Sequence, residues 1–511
     1  MSISIPKIKF PELFFGFVAP IGADLTDTLA AFRAYFTAQN YKVIELKVTD
    51  IFQFFKNYCP PTDELKPTPL NERYETHIQY GNQLRETLGD DVLASSIIYR
   101  ISNRRVRRNK TIDDTFSRTA YLLSHFKRKE EIDLLRSIYG QLFFQVSVYS
   151  RRGARIDYLS RGFANSQNSA AAQSFRAHAE AICQRDEDEV DKPHGQRVAK
   201  IFHDADFIVS LDSSQSQPTV REQVYKFCDL IFSSNAISPT RMEYGLFLAK
   251  AAALRSLDLS RQVGAAIFSE TGEIIALGAN EVPKARGGNY WPDSGDDDRD
   301  YRRGYDSNDQ RKRQILGELI SSLKCSKSVD EALSQGNIRD SQFMDALEYG
   351  RVVHAEMSAI CDAARMGRST RGATLYCTTF PCHMCAKHVV ASGLDHVVFL
   401  EPYPKSLASE LHNDSILIEG ADRGKYQDFP SVQFQHFFGI TPLRYRELFE
   451  RDNRKDSCNQ FIKFGMGEAV PIIDIKVPFY TQLEAMVLKQ ASEILEKVSA
   501  EEEAADQANG K

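Results

Sequence analysis

Four side chains in the second half of the chain have the types and spacing for metal-assisted hydrolysis. His354, Cys382 and Cys385 offer one nitrogen and two sulfur donors, a ligand set that Zn²⁺ favours. Three protein ligands leave the fourth position of a tetrahedral ion open for a water, whose pKa the ion lowers. Glu356 lies two residues after the histidine, so its carboxylate can reach that water and move protons. The sequence therefore predicts a Zn²⁺ cofactor and a catalytic Glu356.

Two alternatives to a catalytic centre are a closed structural zinc site and a segment that binds no metal. A closed site needs a fourth ligand, and Cys377 and His383 are the nearest candidates. Cys377 lies in a strand-like run and His383 lies inside the Cys-x-x-Cys turn, which disfavours both. Residues 178–180 repeat the His-Ala-Glu triplet, but no Cys-x-x-Cys follows them. We expect that second copy to be an ordinary helix segment.

The elements that must position these residues alternate between helix and strand. Apolar side chains recur at helical spacing over residues 357–364, residues 373–378 are typical of a strand, and residues 382–392 are typical of a helix. His354 and Cys382 are therefore predicted at the starts of two helices, whose dipoles favour thiolate and hydroxide.

The front of the chain predicts a parallel α/β domain. Residues 13–19 form a buried apolar strand, a helix starts near Asp24 or Thr26, and residues 41–46 form the next strand. Strands and helices continue to alternate to about residue 235, which indicates a parallel sheet covered by helices.

The loop after the first strand is where phosphates dock in such folds, so Gly16 and Gly22 are candidate nucleotide-binding residues. Ala23 and Asp24 follow the second glycine where a complete P-loop would have its lysine and hydroxyl residue. Phosphoryl transfer is therefore disfavoured. Binding of a nucleotide effector without chemistry and a purely structural, P-loop-like domain both stay open.

A basic run lies between residues 100 and 129. Three interpretations are open: a solvated helix face, a phosphate-gripping lid, and a patch for RNA. Its densest part, residues 104–110, contains no aromatic side chain for base stacking, so the sequence does not favour RNA.

The chain as a whole predicts a multidomain protein of the cytoplasm. Its 511 residues call for two or three domains, and the net charge of −5 argues against a dedicated nucleic-acid coat. No apolar run reaches the length of a membrane span, and no signal-peptide pattern opens the chain, so no membrane partner is expected. Residues 480–498 predict an amphipathic helix that docks on its own chain or on a neighbouring subunit, and residues 501–511 predict disorder.

Three segments together carry a family resemblance. Residues 254–267 (LRSLDLSRQVGAAI) and 278–283 (GANEVP) precede the zinc motif, whose order His-x-Glu…Pro-Cys-x-x-Cys is the signature of zinc nucleobase deaminases. They resemble the deoxycytidylate deaminase branch of the cytidine deaminase superfamily. With the P-loop-like, kinase-like domain in front, the chain resembles the bacterial anti-phage dCTP deaminases.

The resemblance implies a three-layer α/β/α cytidine deaminase-like domain that hydrolyses dCTP, and dCMP as a second substrate, to the uracil nucleotide. Loss of dCTP would starve phage DNA synthesis. A small regulatory RNA is a candidate partner, and a homo-oligomer is expected. By the same resemblance Asn280 contacts the sugar, the Ala355 amide meets the pyrimidine, and Tyr403 with Pro404 lines the base pocket.

The sequence departs from small nucleotide deaminases over residues 287–313. This charged insertion could cover a triphosphate, form an oligomer contact or be a solvated loop. Candidate phosphate ligands flank the expected pocket: Arg261, Lys284, Arg286 and Lys405.

The predicted division is 1–236 for the P-loop-like domain, 237–475 for the zinc-dependent deaminase domain, and 476–511 for the C-terminal helix and acidic tail. The alternative function is a zinc deaminase that acts on cytosine or adenine in RNA or single-stranded DNA. A regulatory module with a silent site is disfavoured by the intact set of four residues.

Overall fold

A computed structural model describes residues 7–109, 115–212, 217–403, 405–451 and 453–509. The first half contains, in chain order, β1 (Leu13–Val18), α1 (Thr26–Ala38), β2 (Lys42–Lys47), α2 (Phe52–Phe55), α3 (Leu70–Leu88), α4 (Val92–Asn109), β3 (Thr119–Ser124), α5 (Lys129–Tyr139), β4 (Phe143–Tyr149), α6 (Arg152–Ser166), α7 (Arg176–Glu187), α8 (Val198–Ile201), β5 (Phe207–Ser210) and α9 (Val220–Ile231).

The second half continues with α10 (Arg241–Ala253), β6 (Gly264–Phe268), β7 (Ile274–Ala279), α11 (Asp300–Arg303), α12 (Ser307–Ser322), α13 (Val329–Leu333), α14 (Gly336–Arg339), α15 (Ala355–Arg365), β8 (Thr374–Thr379), α16 (His383–Ala391), β9 (His396–Glu401), α17 (Ala408–Leu411), β10 (Ile416–Ile418), β11 (Val432–His436), β12 (Gly439–Ile440), α18 (Tyr445–Phe449) and α19 (Tyr480–Asn509).

The chain forms two compact units, one of residues 1–238 with 438–511 and one of residues 239–437. This grouping differs from the predicted division in the placement of residues 438–475, which pack with the front of the chain. The reason is strand pairing, because β12 joins β5 as an antiparallel edge strand. Strand β11 therefore belongs to the second unit, and β12, which follows it in the chain, belongs to the front unit.

The sheet of the front unit has the order β12-β5-β4-β1-β3-β2, and all its pairs except β12–β5 are parallel. Every residue of the central strand β1 is buried, as its continuous apolar sequence predicts. Helix α1 begins at Thr26, whose backbone N–H donates to the Asp24 carboxylate. The α/β prediction is confirmed for this unit, while its identity as a P-loop domain stays a prediction.

The sheet of the second unit has the order β10-β11-β9-β8-β6-β7. Strands β6 and β7 form an antiparallel hairpin, β8 pairs antiparallel with β6, and the other pairs are parallel. Two glycines fix which helix covers which face. A Cβ at Gly264 would meet α10, whereas a Cβ at Gly278 would meet α15, and these residues lie at adjacent, non-facing register positions. Helices α10 and α15 therefore cover opposite faces, which gives three layers.

A buried ion cluster ties the C-terminal helix α19 to its own chain. Arg105 of α4 is fully buried, and its guanidinium pairs with Glu12 at 2.7 Å and with Glu484 of α19. The Tyr480 hydroxyl donates to Glu12 at 2.9 Å. Arg105 is thus an internal residue and not part of a basic surface patch. Residues 501–509 continue α19 as helix, in contrast to the predicted disorder.

Among the residues that the structure describes, no helix combines the length and the apolar character that crossing a bilayer requires.

Replacing Arg105 with Met would leave the Glu12 and Glu484 carboxylates buried without a counter-ion. Loss of one partner of a buried ion cluster costs about 3–5 kcal/mol, so we expect the free energy of unfolding to fall by that amount in a denaturant titration. Arg107→Met, an exposed change on the same helix, is the matched control and should alter stability by about 0.5 kcal/mol or less. Equal stability of the two variants would show that the cluster contributes nothing.

Candidate active site and metal centre

The structure brings the three predicted metal ligands to one point. The Nδ1 atom of His354 lies 3.3 Å from Cys382 Sγ and 3.4 Å from Cys385 Sγ, and the three donor atoms all lie within 4.8 Å of one another. Bonds of about 2.3 Å to sulfur and 2.0–2.1 Å to nitrogen at tetrahedral angles would separate N and S ligands by about 3.5 Å. The donor set therefore fits a tetrahedral Zn²⁺ ion in both atom type and spacing.

Helix starts hold two of these ligands. His354 is the N-cap of α15 and Cys382 is the N-cap of α16, as the sequence predicts. Contacts with Cys385 and then with His354 lower the pKa of the Cys382 thiol to about 4. A thiolate is the form that binds a metal, so the lowered pKa of the Cys382 thiol favours the binding of Zn²⁺.

The two candidates for a fourth protein ligand lie elsewhere. The Cys377 thiol is buried in β8 and contacts the Val398 carbonyl oxygen at 3.6 Å. The His383 ring faces Glu348, with Nε2 3.8 Å from a carboxylate oxygen. Within the described ranges, His354, Cys382 and Cys385 are the single group of His, Cys, Asp or Glu side chains spaced for a metal. A fourth position is therefore left for water.

Glu356 lies beside the cluster, in the first turn of α15. Its side chain is buried, and Cys385 Sγ lies 3.6 Å from its Oε2. Burial raises the pKa of the Glu356 carboxyl above its usual range, and His354 opposes this effect. A carboxyl with a raised pKa can hold a proton closer to neutral pH, which suits a group that both accepts and donates one.

A close approach of backbone segments aligns the start of α15. A Cβ at Gly278 of β7 would lie 2.1 Å from the Ala355 carbonyl oxygen, so only glycine allows this contact. Beyond β7, Glu281 and Val353 exchange backbone hydrogen bonds of 3.2 and 3.0 Å. These contacts fix the residue before His354 against the sheet. Gly278 was noted only as part of the resemblance, and spacing alone gave no sign of this packing role.

A cavity of about 360 Å³ opens next to the metal ligands. Its wall includes Asn280, Ala355, Glu356 and Tyr403, so these predicted site residues lie around one space. The Asn280 side chain also bridges two backbone groups, because its Oδ1 accepts from Val263 N–H at 2.7 Å and its Nδ2 donates to the Arg261 carbonyl at 2.8 Å. Pro404 lies outside the described residues.

The charged insertion contributes four residues to the cavity wall: Asp300, Asp306, Asn308 and Lys312. Asp300 and Arg351 form an ion pair of 2.9 Å there, and Lys312 of α12 also faces the cavity. Among the four cations proposed for phosphate from sequence, Arg261 and Lys405 line the cavity, whereas Lys284 and Arg286 are not among its lining residues. Sequence reasoning missed Lys312, because nothing in a helical polar segment marks which side chain turns inward.

Most cations of this wall have a carboxylate partner. Arg261 pairs with Glu401 at 2.9 Å, and Lys405 pairs with Asp345 at 2.6 Å. Lys312 differs, since its side chain is buried, its amine donates to the neutral Met344 carbonyl at 2.6 Å, and no described carboxylate lies within ion-pair distance of it. Lys312 is therefore the one Lys or Arg side chain among the described lining residues that has no ion-pair partner, while Asp258 and Asp306 of the same wall have no cation partner.

The glycines predicted to bind nucleotide lie in the front unit. Gly16 is in the middle of β1, where a Cβ would meet the Phe143 ring at 2.5 Å, so its small size serves packing. Gly22 lies in the β1–α1 loop with a φ of +86° and lines a separate cavity. Of the two, Gly22 alone borders a space that a ligand could enter.

Comparisons with known proteins locate the zinc motif in a family. Residues 239–401 match the cytidine and deoxycytidylate deaminase zinc-binding region. The chain is 48% identical to deoxycytidylate deaminase of Enterobacteria phage T2 over 54 residues, which cover 11% of this chain and 29% of that protein. It is 32% identical to cytosine deaminase of Candida albicans over 113 residues, which cover 22% of this chain and 69% of that protein.

One of the solved structures that align with part of this chain is the dCMP deaminase from the cyanophage S-TIM5 in apo form. It aligns with 39% of this chain and with all of its own length, at 16% identity and a TM-score of 0.22. The chain spans less than a third of the length of the phage T2 relative. The matched region and the His/Cys/Cys cluster within it show that this chain belongs to the cytidine and deoxycytidylate deaminase family and that Zn²⁺ is its metal.

Proposed function

We propose that the chain hydrolyses free deoxycytidine nucleotides, dCTP and dCMP, to the corresponding uracil nucleotides. The observation that carries this proposal is one cavity that is lined by His354 and Cys382 of the metal cluster, by Glu356 and by Lys312, whose amine has no ion-pair partner among the described residues. The first group of residues suits deamination of a pyrimidine, and the amine suits a phosphate on the same molecule.

The residues suggest how the reaction would proceed. When bound, zinc supplies a Lewis acid that lowers the pKa of a water in the open position. Glu356 would accept a proton from that water at a carboxylate oxygen and deliver it to N3 of the pyrimidine, while the water oxygen forms a bond to C4. The same carboxyl would then move the remaining proton of this hydroxyl to the amino group at C4, so that the C4–N bond breaks, ammonia leaves and the C4 carbonyl of the uracil ring forms. Burial of Glu356 keeps bulk water from competing for these protons.

Lys312 is the proposed contact for a phosphate. Desolvating an amine is costly unless an anion compensates its charge, and the Met344 carbonyl supplies only a dipole. A phosphate oxygen in the cavity would complete its coordination. Arg261 and Lys405 would join this contact only by releasing Glu401 and Asp345, so they are weaker candidates.

The broader biological assignment extends this proposal. By the resemblance of the whole chain, the enzyme would deplete dCTP as antiviral defence, act in the cytoplasm as a homo-oligomer, and answer to a nucleotide effector or a small regulatory RNA. The alternative substrate is cytosine or adenine in RNA or single-stranded DNA. Carboxylate neutralisation of the other cavity cations favours the free nucleotide, because a nucleic-acid channel needs several free cations along its wall.

Replacing Glu356 with Ala should remove the proton carrier without removing a metal ligand. We expect one zinc per chain to remain by metal analysis and the turnover number to fall by about 10²–10⁴-fold. Cys382→Ser is the contrasting variant and should lose both zinc and turnover. An active Glu356→Ala enzyme would contradict the role of this carboxylate.

Product analysis of the purified enzyme decides the substrate class. The panel contains dCTP, dCMP, CTP, deoxycytidine and a cytosine-containing DNA oligonucleotide, with ammonia release and chromatography as readouts. We expect the deoxynucleotides to be converted and the oligonucleotide to stay intact. Deamination of the oligonucleotide alone would refute the proposed function in favour of the nucleic-acid alternative.

Replacing Lys312 with Met keeps the length of the side chain and removes its charge. A charge-assisted hydrogen bond contributes about 1.5–3 kcal/mol, so we expect KM for dCMP or dCTP to rise by about 10–100-fold with a small change in kcat. Deoxycytidine, which has no phosphate, should be turned over equally by both proteins. Arg311→Met, an exposed change on the same helix, is the control. An equal loss on deoxycytidine would assign Lys312 to folding and not to phosphate.

A further inference from the structure

The front unit contains a second cavity of about 370 Å³, within the range of about 300–1,000 Å³ typical of small-molecule sites. It lies where β1, β2 and β3 end, and α3 closes it. Ligands of open parallel α/β sheets bind at this edge, outside the carboxyl ends of the strands. The position alone makes the cavity a candidate binding site.

The usual anion position of such a fold is already taken by the protein itself. The buried carboxylate of Asp186 accepts a hydrogen bond of 2.7 Å from the Ile21 N–H in the β1–α1 loop. Its other oxygen pairs with Lys127 at 2.7 Å, and Lys127 also donates to the Ala19 carbonyl. The carboxylate thus occupies an amide and a lysine that a phosphate would otherwise use. A second anion at this point would meet a fixed negative charge.

The β1–α1 loop also packs closely against α6. A Cβ at Gly22 would lie 2.8 Å from the Arg155 carbonyl oxygen, and the Ala23 N–H already donates to the Pro20 carbonyl at 3.0 Å. The N–H groups of Ile21 and Ala23 are therefore already used within the protein. An anionic ligand of this cavity has to be received by other groups.

Two cations of the cavity wall are available. The wall carries four Lys or Arg side chains and one carboxylate: Lys47, Arg73, Arg85, Lys127 and Asp50. Arg85 is paired with Glu131 and Lys127 with Asp186, while Asp50 is paired with Arg100 outside the wall. Lys47 and Arg73 are exposed and have no carboxylate within ion-pair distance among the described residues. The cavity therefore has an excess positive charge in two side chains.

His125 adds a conformational sign of function. It follows β3 and lines the cavity with a φ of +78°, a left-handed conformation that costs a residue with a side chain about 1–3 kcal/mol. Such conformations persist where the surrounding structure fixes them, and they cluster at active sites and ligand-binding sites. The His125 side chain is exposed, and its imidazole can hydrogen-bond a ligand in the cavity.

We infer that the front unit binds a nucleoside monophosphate in this cavity, with the phosphate on Lys47 and Arg73 and not on the β1–α1 loop. The rings of Phe52 and Tyr74 line the same wall and offer apolar faces to a base, and the His125 imidazole offers a polar edge. The Asp186 carboxylate explains why the bound ligand is not a phosphoryl donor, since the donor's phosphate position is filled. This inference extends the proposed effector role, and its test does not use deamination.

Isothermal titration of the full-length, zinc-loaded protein with dTMP, dAMP, dGMP and inorganic phosphate tests the inference. None of these probes carries the amino group of cytosine. We expect saturable binding of at least one monophosphate, a Kd at least about tenfold weaker in the Lys47→Gln/Arg73→Gln double variant, and an unchanged Kd in Lys312→Met. Lys42→Gln, an exposed change at the other end of β2, is the matched control and should bind as the parent does.

Three outcomes would overturn the inference. They are the absence of saturable binding up to about 1 mM, a Kd unaffected by the double variant, and loss of binding in Lys312→Met, which would assign the ligand to the zinc-site cavity. Inorganic phosphate that binds as tightly as the monophosphates would remove the nucleoside from the assignment. If the double variant does not fold, the Arg73→Gln single variant takes its place. Its thermal unfolding is measured to check that it is folded, and its Kd is then compared with that of the parent protein.

Discussion

The meeting of two helix starts at one point is the constraint on which the second unit depends. His354 precedes α15 and the two cysteines belong to the start of α16, so their donor atoms converge only if both helices begin at the same edge of the sheet. The missing side chain of Gly278 lets α15 approach β7, and the Glu281–Val353 backbone pair holds the residue before the histidine. Backbone packing therefore positions the three donor side chains.

Charge compensation then decides what the cavity beside the metal can recognise. Arg261, Arg351 and Lys405 each pair with a carboxylate. Lys312 differs because its side chain donates to the Met344 carbonyl and forms no ion pair with a described carboxylate. A cation without an ion-pair partner could receive a phosphate without first releasing a carboxylate, so Lys312 would favour one phosphate at one distance from the zinc ligands.

In the front unit, carboxylates of the protein pair with its own buried cations. Acidic side chains there fill positions that a ligand's anion could take, with Asp186 at the β1–α1 loop and Glu12 and Glu484 around Arg105. Both clusters are internal to the unit, so Arg105 and Lys127, which belong to the basic run of residues 100–129, are structural partners of buried carboxylates. The two cavity cations without a carboxylate partner, Lys47 and Arg73, lie outside that run.

The sequence by itself determined the chemistry of the metal centre, because ligand type and spacing are local properties that a helix start converts into geometry. It also determined the α/β class, through buried strand runs such as β1 and the helical periodicity after His354. Only the tertiary structure decided which charges are free. Arg105 and Lys312 both belong to charged, helix-forming segments, yet one is sealed between two carboxylates and the other faces a cavity. Strand pairing at β12 likewise assigned residues 438–475 to the front unit, since an edge strand of two residues leaves no readable pattern. Burial and pairing depend on what other segments bring to a side chain, and that information is not present in its own neighbourhood of the sequence.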